Sequence, residues 1–209
     1  MKNKKLVLSK KGESLVNYYK QMVNNGYPNN LFNLKLYKEF LKETFENFNI
    51  NSILDYGSGR VNWESKNFDE IKSVSAKNYF KLKEVSLYDP SIDIDNRKKA
   101  DCVLSFDVLE HIFISDIKNV LDDIFVNATK LVVIQVACYP AKAKLPNGEN
   151  AHVLIRNPLW WKGLIDSMSL KYPNVSVCLL CSTEYKKTVR FKIWSASEWL
   201  KQEKFESNI

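Results

Sequence analysis

The stretch ILDYGSGR, Ile53–Arg60, sets an acid just ahead of two glycines spaced Gly-x-Gly. Apolar Ile53 and Leu54 read as a short strand, and Gly57 and Gly59 as a tight turn built from residues that accept backbone angles closed to others. A turn at the carboxyl end of a strand is where open α/β sheets bind ligands. Dinucleotide sites use a third glycine and an uncharged strand end, so that backbone amides and a helix N-terminus meet a pyrophosphate. Here Val61 and Asn62 follow Arg60, and Asp55 would repel phosphate. A cationic ligand fits the stretch better than an anionic one.

Outward from this turn, short β-branched runs alternate with amphipathic segments. Strands are predicted at 52–56, 84–88, 102–106 and 131–137, and helices around 68–83, 116–127 and 158–168. That order implies an α/β fold: a Rossmann-like, doubly wound sheet, mostly parallel, with crossover helices. Two further strands near 175–182 and 188–194 are close enough to form an antiparallel hairpin through TEYKK, and Ser197 is placed to cap a last short helix. About a dozen residues separate Asp89 from the next strand, too few for a full helix, so 90–100 is expected to be an abbreviated crossover. The first 50 residues read as a helical extension. Leu15, Tyr18, Tyr19, Met22 and Val23 recur at helical spacing before Asn25-Gly26, and Leu36, Phe40, Leu41, Phe45 and Phe48 form a second stripe.

The 209 residues, 45% of them hydrophobic, suffice for a single domain with a core of its own: an extension over 1–50 and a sheet domain over 51–209. No run approaches the ~18 apolar residues of a membrane span, and the apolar stretch near the N-terminus is too short for a signal peptide, so a cytoplasmic protein is expected. Cys102, Cys178 and Cys181 lie in strand-like runs, where a reduced thiol behaves as a small hydrophobe; Cys138 is the fourth. Cys178 and Cys181 make a Cys-x-x-Cys, but strand positions three apart face opposite sides, and no histidine is suitably spaced. No metal centre is expected. The net charge of +7 comes from lysines scattered among asparagines, which reads as solvated surface rather than a nucleic-acid footprint.

S-adenosylmethionine is a cationic ligand of the required kind, with an ammonium, a sulfonium and no phosphate. Glycine backbone can approach its methionyl part while Asp55 supplies favourable electrostatics. Asp89, in VSLYDP at the next strand end, can accept both ribose hydroxyls. A third strand, in DCVLSFDVLEHI, breaks at Phe106-Asp107. ILDYGSGR, LYDP and DCVLSFDVLEHI resemble three successive motifs of class I S-adenosylmethionine-dependent methyltransferases. The later ACYPAKAKLPNGENAHVLIRNPLWWKGLI resembles a subgroup of small bacterial and phage methyltransferases with an LPNGENAH…PxWW signature, some from surface-polysaccharide clusters. The resemblance covers about residues 50–170. It implies that Asp55, Gly57, Ser58 and Gly59 line the methionyl moiety, that Asp89 and Pro90 hold the ribose, and that Phe106, Asp107 and Val108 lie near the adenosine or sulfonium. Val61 stands where that family often has a glycine.

Methyl transfer is an in-line displacement, and a hydroxyl acceptor needs a base. The two histidines, His111 and His152, are candidates, with Glu149 to orient His152 or act itself. His152 sits in a connection of about twenty residues without periodicity, and loops of that length in compact domains are commonly functional. Lys142, Lys144, Asn150 and Arg156 in the same loop would suit a phosphate, phosphoramidate or carboxylate on the acceptor. Of Trp160 and Trp161, one should enter the core, since adjacent helix positions diverge by about 100°. The Asn/Asp-Pro-Pro-Tyr of amino-group methyltransferases acting on nucleic-acid bases is absent. The expected activity is therefore O-methylation of a small, anionic or sugar-linked metabolite. The alternatives are a non-catalytic methyltransferase-like scaffold and, ranked lower, a nucleic-acid methyltransferase.

Overall fold

The computed structural model describes residues 6–26, 32–69 and 73–201. Helices α1 (Lys10–Asn24), α2 (Phe32–Leu36) and α3 (Lys38–Asn47) precede strand β1 (Ser52–Tyr56). Then come α4 (Ala76–Tyr79), β2 (Glu84–Asp89), β3 (Ile94–Asp95), β4 (Ala100–Phe106), α5 (Ile117–Asn127), β5 (Ala128–Ala137), α6 (Pro158–Ser169), β6 (Ser176–Glu184), β7 (Lys187–Arg190), β8 (Trp194–Ser195) and α7 (Ala196–Leu200). The strands form one mixed sheet in the order β3-β2-β1-β4-β5-β6-β7, with β8 also on β6. Strands β2, β1, β4, β5 and β6 run parallel, while β3, β7 and β8 are antiparallel to their neighbours. The chain leaves β1 toward β2 on one side and returns to β4 on the other, so the loops after β1 and β4 diverge over one crevice.

The strands are apolar on both faces because both faces are covered. Leu54, Val103, Val132, Ile134, Leu179 and Cys181 pack with α5 and α6; Ile53, Cys102, Leu104, Val133, Cys178 and Leu180 pack with α3 and α4. Cys178 and Cys181 fall on opposite faces, and all four cysteines are free thiols. Trp161 is fully buried, while Trp160 lies partly buried against the same core. No helix among the described residues is long and apolar enough to cross a membrane.

The strands and most helices fall where periodicity predicts; four segments differ. The helix expected over 68–83, of which 70–72 lie outside the described residues, shrinks to the four residues of α4. Asp69 and Val74 instead make an isolated bridge, and the Ser75 hydroxyl caps the short helix at Asn78 N–H. Asn67, Asp69, Ser73 and Ser75 compete for backbone hydrogen bonds and favour caps and turns over helix interior. The expected last strand over 188–194 divides into β7 and β8, both lying along β6. The α7 N-cap is Ser195 rather than Ser197, and the rest of the segment expected to form that helix, 202–205, lies outside the described residues. The second helix of the extension is interrupted at Tyr37.

Segment 90–100 is indeed no crossover helix. A 3₁₀ turn over Pro90–Ile92 leads through Asp93, left-handed at φ 59°, into the two-residue β3. Arg97 holds the segment down. Its buried guanidinium donates to Asp95 at 2.7 and 2.8 Å and to Asp123 of α5 at 2.7 Å, and stacks 4.3 Å over the Tyr88 ring.

Candidate functional site

A cavity of about 440 Å³ opens at the carboxyl edge of the parallel strands. Its walls come from the loops after β1, β2 and β4 and from α1, which covers it with Gly12, Leu15, Val16, Tyr19 and Val23. Of the expected cofactor ligands, Asp55, Gly57, Ser58, Asp89, Pro90, Phe106, Asp107 and Val108 line it; Gly59 lies in the same turn, behind the wall.

The glycine turn is closed by the neighbouring strand. Gly57 N–H and Ser58 N–H donate to the Tyr88 carbonyl at 2.7 and 3.1 Å. Gly57 sits at φ +82°, and a β-carbon there would come within 2.3 Å of Val108 Cγ2. Glycine is therefore required both for the left-handed backbone and for the close passage of the loop after β4. Asp89 serves the protein first: one carboxylate oxygen accepts from Ser91 N–H and Ser91 Oγ at 2.8 and 2.6 Å, the other from Gly59 N–H at 2.7 Å. These donors fill three of roughly four lone-pair positions. Asp89 thus clamps the glycine turn to the 3₁₀ turn and keeps about one position for a ligand, where two ribose bonds were expected.

Asp55 is buried and accepts from Trp63 Nε1 at 2.8 Å. Burial pushes its carboxyl up to about 6; the Trp63 bond opposes this and the nearby charge of Asp89 adds to it. Trp63, six residues beyond Gly57, was not singled out in the sequence, where it reads as one more core aromatic. Asp107 occupies a left-handed backbone position, φ 52°, an uncommon conformation for a side-chain-bearing residue and one found at functional sites. It is held by its own N–H to the Gln135 side chain at 3.1 Å, and its carboxylate accepts from the Asn33 amide. Burial raises its carboxyl above the ordinary value.

The two histidines converge. His111 lines the cavity, and the His111 and His152 rings lie 4.8 Å apart, edge to face. His111 Nδ1 bonds the Ala151 carbonyl at 2.9 Å and Tyr19 Oη at 2.5 Å; His152 Nδ1 bonds the Tyr139 carbonyl at 2.5 Å. A carbonyl can only accept, so both rings carry their hydrogen on Nδ1 and present Nε2 as a lone-pair nitrogen. Burial, reinforced by His152, depresses His111 to about 4; burial also lowers His152.

The rest of the long loop acts as scaffolding. Asn150 Oδ1 accepts from Ala141 and His152 N–H, and its amide donates to the Ala141 carbonyl. Leu154 N–H donates to the Glu110 carbonyl at 3.0 Å. Leu145 and Ala151 are buried against Leu15 of α1. Glu149 is exposed and bonded to Asn147, not directed at His152. Lys142, Lys144 and Arg156 are exposed and, like Asn150, are not part of the cavity wall. The acid beside the histidines is Glu110, fully buried, with Oε1 held by Ala137 N–H at 2.8 Å. Its place in Asp-x-x-Glu-His is visible in the sequence, but nothing there tells an inward glutamate from a helix-start one.

Compared with known proteins, the chain matches no family model, no curated protein and no solved structure, so the chemistry of the site rests on its own geometry.

Proposed function

We propose that the chain is an S-adenosylmethionine-dependent methyltransferase of Rossmann-like, doubly wound architecture, acting on an oxygen of a small or sugar-linked metabolite. One observation supports it above the others. Asp55, Asp89, Asp107 and Asp116 line the cavity and no lysine or arginine among the described residues does, although the chain carries +7 overall. A cavity walled by carboxylates favours a cation and disfavours a nucleotide diphosphate. Its size falls within the usual range for small ligands, and Val61, Trp63, Leu104, Phe106 and Ile112 supply apolar walls suited to an adenine.

In this reading Asp55 and the glycine turn receive the methionyl end and the remaining Asp89 position takes a ribose hydroxyl. Helix α1 excludes water while acceptor and methyl align. His111 and His152 stand beside the cavity as bases or ligands through Nε2. The exposed positions of Lys142, Lys144 and Arg156 weaken the case for an acceptor chosen by its negative charge. The link to surface-polysaccharide chemistry rests on resemblance alone. Four free cysteines suit a reducing compartment and support a cytoplasmic location.

Thermal unfolding with S-adenosylmethionine, S-adenosylhomocysteine or NAD⁺ tests the reading. Either sulfur ligand at 100 times its dissociation constant should add about 2.7 kcal/mol, and NAD⁺ nothing. Stabilisation by NAD⁺ alone would replace the methyl donor with a dinucleotide. Silence from all three would favour a scaffold without a cofactor.

A further inference from the structure

Glu110, His111 and His152 each offer a ligand atom, and these atoms lie within 4.8 Å of one another. Glu110 Oε2 is buried and makes no hydrogen bond, an orphan acceptor in a side chain with 0% exposure. A carboxyl oxygen in this state normally costs free energy; burial and the neighbouring Asp107 carboxyl hold Glu110 well above its ordinary value, and a bound cation would relieve both. Beside Glu110 stand two imidazoles whose Nδ1–H groups are committed to backbone carbonyls, leaving Nε2 to face a partner. We propose that Glu110, His111 and His152 form a binding site for a divalent first-row transition ion on the edge of the cavity. The cysteine and histidine spacing pointed to no metal centre; the site is assembled by folding, from a 3₁₀ turn and a loop 41 residues further on.

The ligand chemistry and its support agree. Two imidazoles and one carboxylate are a set that zinc and ferrous iron accept, with at least one coordination position left open. Each ligand is held from behind by backbone: Ala137 N–H on Glu110 Oε1, the Ala151 carbonyl on His111 Nδ1, the Tyr139 carbonyl on His152 Nδ1. Such supporting bonds set the tautomer and ring orientation of metal-binding histidines. Ligand-to-metal distances of about 2.0–2.2 Å require donors within roughly 4 Å of each other, so the set, within 4.8 Å here, has to draw together on binding. The long loop thereby acquires a purpose, since its internal bonds through Asn150 deliver His152 to a fixed place.

The site stands whether or not the cavity holds S-adenosylmethionine. If the methyl-transfer reading is also right, the open position would take the acceptor hydroxyl. Its proton would leave to solvent, its oxygen would form the new O–CH₃ bond, and the S–CH₃ electron pair would pass to sulfur.

Cobalt(II) serves as an optical probe of the full-length chain, freed of metal by a chelator and titrated with and without S-adenosylmethionine. One equivalent should bind in both conditions, with a ligand-field spectrum of nitrogen and oxygen donors and no thiolate charge-transfer band, and zinc(II) should displace it. Glu110→Gln, which keeps an acceptor for Ala137 N–H, and His152→Asn, at a half-buried position, should each weaken binding at least tenfold while circular dichroism stays unchanged. Cys138→Ser should bind as the unaltered protein does. A thiolate band, absence of stoichiometric binding, or undiminished affinity in both folded variants would overturn the site. Failure of S-adenosylmethionine to bind while cobalt does would instead count against the methyltransferase reading alone.

Discussion

At the residue scale Asp55 concentrates the physics of the site. Burial raises its pKa from 3.8 to about 6 in the folded chain, whereas an unfolded chain releases that proton near 3.9. Between about pH 4 and 6 the folded state therefore holds a proton that the unfolded state has lost. The stability this confers is present at low pH and disappears as pH climbs to about 6, a difference of roughly 3 kcal/mol. A cation in the cavity wants the ionised form, so affinity for S-adenosylmethionine should rise over the same interval. Asp55→Asn should flatten both trends, as read by urea unfolding and calorimetric titration at pH 5 and 7. An unchanged pH slope in the variant would remove Asp55 from the ligand's electrostatics. The Trp63 indole, whose bond favours the carboxylate, is the partner that keeps ionisation within reach near neutral pH.

At the element scale α1 is the cover of the cavity, and it is anchored at both ends. Ser9 caps it at Gly12 N–H, at 3.1 Å, and ties it to Asp116, ahead of α5, through its own N–H and Oγ, both at 2.7 Å. Gly12 lets this approach happen, since a β-carbon there would fall 2.5 Å from Asp116 Oδ2. Further along, Tyr19 reaches His111 and the Ala151 carbonyl, and Lys20 pairs with Asp93. Ser9→Ala should cost about 1 kcal/mol, a usual N-cap loss. Hydrogen exchange of α1 amides should then quicken about fivefold while the β4 and β5 amides hold their rates. Equal protection of α1 in both proteins would mean that the helix is held by its apolar face alone. The helix itself was legible from the spacing of Leu15, Tyr19, Met22 and Val23. That it covers the crevice was not, because an amphipathic stripe states that one face is buried without stating against what.

At the scale of the whole molecule, the sheet needs a lock where the chain has no crossover helix, between β2 and β4. Arg97 provides it, with a side chain only 2% exposed bridging Asp95 and Asp123, and Tyr56 Oη donating to the same Asp123 oxygen at 2.8 Å. Arg97→Met strands the partly buried Asp123 carboxylate and should destabilise the fold by about 3 kcal/mol or more, lowering the melting temperature by roughly 10 °C. A melting temperature within a degree or two of the original would show that solvent compensates Asp123. Arg97 lies in a run of charges, NRKK, that reads as surface until the neighbouring strands are assembled. The sequence by itself determined the alternation of strands and helices, the glycine turn after Asp55 and the acids at successive strand ends. Apolar periodicity and turn chemistry are local properties, and local properties survive in a linear reading. Only the tertiary structure decided that Glu110 rather than Glu149 meets His152, that Asp89 is largely spent on its own turn, and that Arg97 is interior. Each of those depends on which distant backbone groups arrive to satisfy a side chain, and a hydrogen bond between residues far apart in sequence leaves no period to read.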